Sequence, residues 1–242
     1  NAGINGQSTM GHIAAFKSWF PHVPDLNVDY FLILVGVNDF FVDEQVPAYG
    51  YDNILLSQPE KKIKSYFLRN SALLFLVQRL EGLFSAKKRS ARHLKVNFKE
   101  INWTSEPLLN NHAHKLKKRL DQYEARLEKL IEEIHSFSSN IILVTHSATG
   151  WWYMDDNIIY GKDYITEMDG QKFNGVDYYI FSRLLNAKSI QVCEKSNGIC
   201  IDMDKELTLD KNDIYDWMHY NPKGATKIAV YLFKKLQNQL YP

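Results

Sequence analysis

The chain has 242 residues, 45% of them hydrophobic, which is enough for one substantial core and within the size of a single domain. Its 29 basic and 28 acidic residues nearly cancel, which excludes a global electrostatic pull towards nucleic acid. A mean hydropathy of −0.34, with no apolar run of spanning length, argues against a membrane span in this segment.

Asn1 to Thr9 is small, polar and rich in glycine, as suits a loop whose backbone approaches a ligand. Ser8 and Thr9 then cap a predicted helix running to about Trp19, with Ile13, Phe16 and Phe20 on one side. Ser8 is therefore read as a cap and not as a nucleophile. Asp29 to Gly36 is a near-continuous apolar run, the signature of a parallel strand buried on both faces. Its end delivers Gly36-Val37-Asn38-Asp39 to the carboxyl edge of the sheet, where open α/β folds place their sites.

The domain is read as one unit, 1–242, with a mainly helical and basic insertion at about 40–110. An aromatic, acidic loop (Phe40 to Asn53) leads to two predicted helices, Glu60 to Leu68 and Ser71 to Phe84. Lys87, Lys88, Arg89, Arg92, His93, Lys95 and Lys99 follow with no acid among them, a pattern of solvated loops that also suits an anionic polymer or lipid head group.

Asn111 to Phe137 predicts one long amphipathic helix, its stripe formed by Leu116, Leu120, Tyr123, Leu127, Leu130, Ile134 and Phe137. Because a buried-type strand, Asn140 to Thr145, follows at once, the stripe should pack on the sheet. His146-Ser147 comes next. A serine after a strand invites comparison with a nucleophile elbow, but Thr145 and Thr149 stand where that turn needs glycines, so Ser147 is not expected to be the nucleophile. Trp151 to Lys172 is read as an irregular aromatic stretch that either lines an acyl or sugar pocket or packs as a satellite core.

Val176 to Ser196 is a predicted helix, stopped by Asn197-Gly198, and Ile199 to Met203 a short strand. Cys193 and Cys200 lie late on that helix and on the strand, close enough for a disulfide, although two buried thiols is the preferred expectation. A polar loop then leads to Asp216-Trp217-Met218-His219. A carboxylate and an imidazole at this spacing can face one another across one turn, Asp216 taking the Nδ1 proton so that Nε2 of His219 serves as the base. Asn221 and Pro222 cap the helix behind them, whose apolar face is Ala225, Ile228, Ala229, Leu232 and Leu236.

The ordered series Asn1-x-Gly3-x-x-Gly6-x-Ser8, then Gly36-x-Asn38-Asp39 after an apolar strand, then Asp216-x-x-His219 before a C-terminal helix resembles the SGNH (GDSL-type) hydrolase family. The resemblance implies a three-layer α/β/α fold with a parallel, flavodoxin-like sheet. It assigns Asp216 and His219 to a serine triad, the Gly6 backbone N–H and the Asn38 amide to an oxyanion hole, and requires no metal or organic cofactor. The family's nucleophile sits in a Gly-Asp-Ser block, which does not occur here, so that block and its strand are expected upstream of residue 1. The implied activity is a serine esterase or deacylase acting on an acyl ester, an acylated glycan or lipid with O-acetyl groups as one option, in an extracytoplasmic compartment. The alternatives are an acyltransferase on the same site and a non-catalytic glycan-binding or assembly protein that retains the fold.

Overall fold

Ile141–Val144 forms β3, and all four of its side chains are buried. Burying such aliphatic groups contributes about 1.5–3 kcal/mol each, which makes this strand the axis of packing. The computed structural model describes residues 7–42, 96–147 and 150–240. The expected helices Glu60 to Leu68 and Ser71 to Phe84, and the basic run from Lys87 to Lys95, lie outside them. So does Gly6.

β1 (Phe31–Leu34) pairs parallel with β3, Ile33 opposite Leu143, and β8 (Ile199–Ile201) pairs parallel on the other side, Cys200 opposite Leu143. The protein is thus a mixed α/β structure around a small parallel sheet of order β1-β3-β8. In a parallel register, opposed residues share a face. Ile33, Ile141 and Leu143 belong to the larger core, with Phe16, Leu127, Leu130 and Phe181 from helices α1 (Thr9–Ser18), α2 (Lys117–His135) and α3 (Gly175–Lys195). On the other face, Ile142, Val144 and Ile201 pack against Ile228, Leu232 and Leu236 of α4 (Pro222–Leu240).

Four expectations need correction. β1 is not buried on both faces: Leu32 and Leu34 are 50% and 41% exposed, on the same face as Ile142 and Val144. The reason is that α4 covers β3 and β8, while no described strand pairs with the outer edge of β1. The helix expected from Asn111 to Phe137 is interrupted: a short turn, His112–Lys115, ends at Leu116 before α2 begins. Its stripe is buried as expected, from Leu116 through Ile134.

The stretch from Trp151 to Lys172 is ordered β-structure. β4 (Trp152–Asp155) and β5 (Ile158–Lys162) form a hairpin that β2 (Trp103–Thr104) joins antiparallel, and β6 (Thr166–Met168) pairs with β7 (Gln171–Phe173) in a second hairpin. Both hairpins close on two residues in the left-handed region, Asp156-Asn157 and Asp169-Gly170, the conformation that matches the right-handed twist of the strands. The hairpin docks on α3 by backbone contact: a Cβ at Gly161 would overlap the Val176 amide, and one at Gly175 the Trp151 carbonyl. Finally, Cys193 and Cys200 are not free thiols. They form a disulfide across the α3–β8 turn, where Asn197 at φ 55° brings the strand back against the end of the helix.

Candidate active site

α4 begins where the sequence places it. The Asn221 side chain accepts hydrogen bonds from the amides of Lys223 at 2.9 Å and Gly224 at 3.0 Å, covering orphan donors of the first turn with Pro222 in the first helical position. Asn221 also donates to the Asn212 carbonyl at 2.7 Å, which fastens the preceding loop to the helix. That loop presents Asp216 and His219. His219 Nδ1 lies 2.8 Å from Asp216 Oδ2 and 3.0 Å from Oδ1, while Oδ1 also accepts from the amides of Met218 and His219 at 2.8 Å. Burial pushes the Asp216 carboxyl up, but those amides and the His219 ring outweigh it and hold it below the usual carboxylate range. A carboxylate beside Nδ1 favours the Nδ1–H tautomer, which makes Nε2 the basic nitrogen.

Tyr220 ties this turn to the end of β3. Its hydroxyl donates to the Ser147 carbonyl and lies 3.4 Å from His146 Nε2, with the two rings stacked at 5.5 Å. Since the single phenolic hydrogen goes to Ser147, the phenol oxygen must accept from His146, which puts the imidazole proton on Nε2 and leaves Nδ1 as a bare acceptor. That Nδ1 is buried and has no partner among the described residues. Beside it lies a cavity of about 10 Å³ bordered by Gly36, Val37, Tyr178 and Asn186, room for one water molecule. Burial, and then the nearby His219, hold His146 down at about 4, so it is neutral near pH 7. The His146 carbonyl accepts from Asn186 at 3.0 Å, and Asn186 also donates to Asp204, itself bound by Arg183 at 2.6 Å. Ser147 is buried, and its hydroxyl faces Asp204 and helps to lower the pKa of that carboxyl. It takes no part in the Asp216–His219 pair.

Asn38 lies four residues beyond β1, in a 3₁₀ turn. Its Nδ2 donates to the Gln7 carbonyl at 2.9 Å, one residue from Gly6, and the second amide hydrogen has no described partner. Sequence reading passed over the buried network that holds these two loops together. Asp39 accepts from the Thr9 amide at 3.1 Å and the Thr9 hydroxyl at 2.5 Å. Arg126 of α2 reaches in to bond Asp39 at 3.3 Å and Thr9 Oγ1 at 3.1 Å. The signal was the Asp of the G-x-N-D motif, but its cationic partner lies 87 residues away, beyond the reach of any local pattern.

The carboxyl ends of β1 and β3 therefore converge: Gly36 and Val37, just before Asn38, border the same small cavity as His146, and Tyr220, next to His219, is bonded across the end of β3. The aromatic sheet abuts the same turn. Trp217 stacks on Trp151 at 4.4 Å with the planes 7° apart and meets the Phe98 edge at 6.2 Å, and a Cβ at Gly150 would overlap the Trp217 backbone. Among the described residues no cluster of three or more His, Cys, Asp or Glu is placed to hold a metal ion, and no helix is long and apolar enough to cross a membrane.

No family model matches the chain, and no curated protein or solved structure matches it either. The likeness to SGNH hydrolases thus rests on the three motifs.

Proposed function

We propose that the protein is a serine esterase or deacylase of the SGNH type, with a three-layer α/β/α architecture, acting on an acyl ester such as an O-acetylated glycan. The observation that carries this reading is the Asp216–His219 pair, both carboxylate oxygens within 3.0 Å of Nδ1, on a turn bonded to the carboxyl end of a parallel strand. In the reaction, Nε2 of His219 takes the hydroxyl proton of the serine carried by the family's Gly-Asp-Ser block as its Oγ attacks the acyl carbon. The Gly6 amide and the Asn38 side chain donate to the tetrahedral oxyanion. Collapse breaks the ester C–O bond, His219 protonates the leaving alcohol, and a water molecule repeats the sequence to release the acid. Asp216 holds the ring in the useful tautomer throughout.

Two further features fit. A parallel strand bearing the serine, added beside β1, would pair its outer edge and cover Leu32 and Leu34. The Cys193–Cys200 disulfide suits an oxidising, extracytoplasmic compartment. The test is to treat the full-length protein with a fluorophosphonate probe and to assay p-nitrophenyl acetate hydrolysis. Labelling of a serine in a Gly-Asp-Ser context, lost in His219→Ala, is the expected result. No labelling and no hydrolysis would shift the reading to a glycan-binding protein, whereas acetyl transfer to an added alcohol in preference to water would make it an acyltransferase.

A further inference from the structure

The described residues hold a second feature with the chemistry of a site. Beside β2 and β4 lies a cleft of about 250 Å³ lined by Phe98, Lys99, Trp103, Trp152, Tyr153 and Lys211. Its aromatic wall is fixed. The Trp103 indole donates to the Phe98 carbonyl at 3.4 Å and runs parallel to the Phe98 ring, 17° apart at 6.4 Å. Trp103 and Tyr153 are set edge to face at 4.9 Å, and Tyr153 stacks on Tyr160 at 5.3 Å. Rings held this way lose little freedom when a ligand lies against them. Neither Lys99 nor Lys211 forms an ion pair with a described carboxylate, and the Lys211 ammonium sits 5.9 Å from the centre of the Tyr153 ring, within cation–π range.

A wall of aromatic faces takes the apolar face of a sugar, and two ammonium groups at the same cleft take an anion. An acyl chain would need apolar walls without the lysines. The volume is below the ~300–1,000 Å³ of clefts that enclose a whole drug-sized ligand, so the cleft accommodates one unit of a longer chain. We propose that it is a glycan subsite for an acidic sugar ring, with the ring face against Trp103 and Tyr153 and the carboxylate met by Lys99 and Lys211. The proposal deepens the esterase reading and rests on it for one point, that the cleft selects the polymer whose ester is cut: its Phe98 wall also contacts Trp217, between Asp216 and His219.

Binding is read on the His219→Ala protein by calorimetry, so that turnover cannot disturb it. The probes are tetramers of galacturonate and of mannuronate, each beside the neutral galactose or mannose tetramer. At least one uronate tetramer is expected to bind at least tenfold more tightly than its neutral counterpart, with affinity falling as salt rises. Lys211→Gln, a surface change that leaves folding intact, should weaken uronate binding about tenfold, the 1.4 kcal/mol of one charged contact, and Trp103→Ala should abolish it. Equal affinity for acidic and neutral tetramers, no binding of either uronate by the folded protein, or affinity unchanged by Lys211→Gln would each overturn the proposal. Loss of hydrolysis in His219→Ala is scored separately, so the subsite can fail while the esterase reading stands, and the reverse.

Discussion

The Tyr220 hydroxyl donates to the Ser147 carbonyl while its oxygen faces His146 Nε2 at 3.4 Å, so one phenol bolts the turn that carries His219 to the end of the central strand. Tyr220→Phe keeps the ring but deprives two buried groups of their partner. Leaving such groups unsatisfied costs about 1–3 kcal/mol, to be read as a lower midpoint in urea with an unchanged slope. Because the bolt also positions His219, kcat for ester hydrolysis should drop while KM stays nearly constant.

His146 makes stability depend on pH in a defined window. Its ring, ordinarily titrating near 6.5, is held at about 4 in the folded protein, so between those values the unfolded chain binds more protons than the native one. Stability from this group is therefore complete above about pH 6.5 and is lost as pH falls towards 4. The loss is on the order of 3 kcal/mol for a shift of this size. Denaturation across that window should show the slope in wild type and its absence in His146→Leu.

At the proposed catalytic pair, Asp216→Asn preserves shape but removes the acceptor that selects the Nδ1–H tautomer. A fall in kcat on the order of 10³–10⁴ is expected, and His219→Ala should fall at least as far. Ser147→Ala should leave hydrolysis within about threefold, since a residue outside the reacting set costs little transition-state stabilisation. A loss from Ser147→Ala matching that from His219→Ala would mean that Ser147 is the nucleophile.

Arg126→Met tests the buried network behind the proposed oxyanion hole. Asp39 is wholly buried, and removing its cation strands a carboxylate in the interior at a cost of about 3–5 kcal/mol. A circular-dichroism melt should show the destabilisation. Activity should fall even at temperatures where the variant remains folded, because Asn38 and the Gln7 loop lose their common anchor.

What was legible from residues alone was local. Ser8, Asn221 and Pro222 marked helix starts because a cap acts within three residues of itself, and the apolar runs around Ile33 and Leu143 marked strands because burial on a sheet needs little else. The Asp216–His219 contact was legible for the same reason, being made across one turn. One error, over Trp151 to Lys172, came from reading composition in place of turn chemistry: the Asp156-Asn157 and Asp169-Gly170 pairs are hairpin signals, but the crowd of aromatic residues beside them obscured the alternation of β4 and β5. Arg126, Asn186 and His146 could not be placed, since each acquires its role only after β1, β3 and β8 lie side by side. The exposed face of β1 likewise depends on which strands α4 covers, a matter of sheet order and not of the strand's own residues.

The glycines at 150, 161 and 175 carry a consequence for how specificity can change. At these three points backbone rests on backbone, so no side chain there can be trimmed, enlarged or repacked, and adjustment is left to the ring contacts of Trp151 with Trp217 and of Trp152 with Tyr179. A hairpin of altered length or twist grafted into this position would transmit its misfit directly to Trp217. New ligand preferences should therefore arise by substitution at Tyr153 in the hairpin or at Lys99 and Lys211 beside it, and exchange of the hairpin as a cassette should abolish the proposed hydrolysis together with binding.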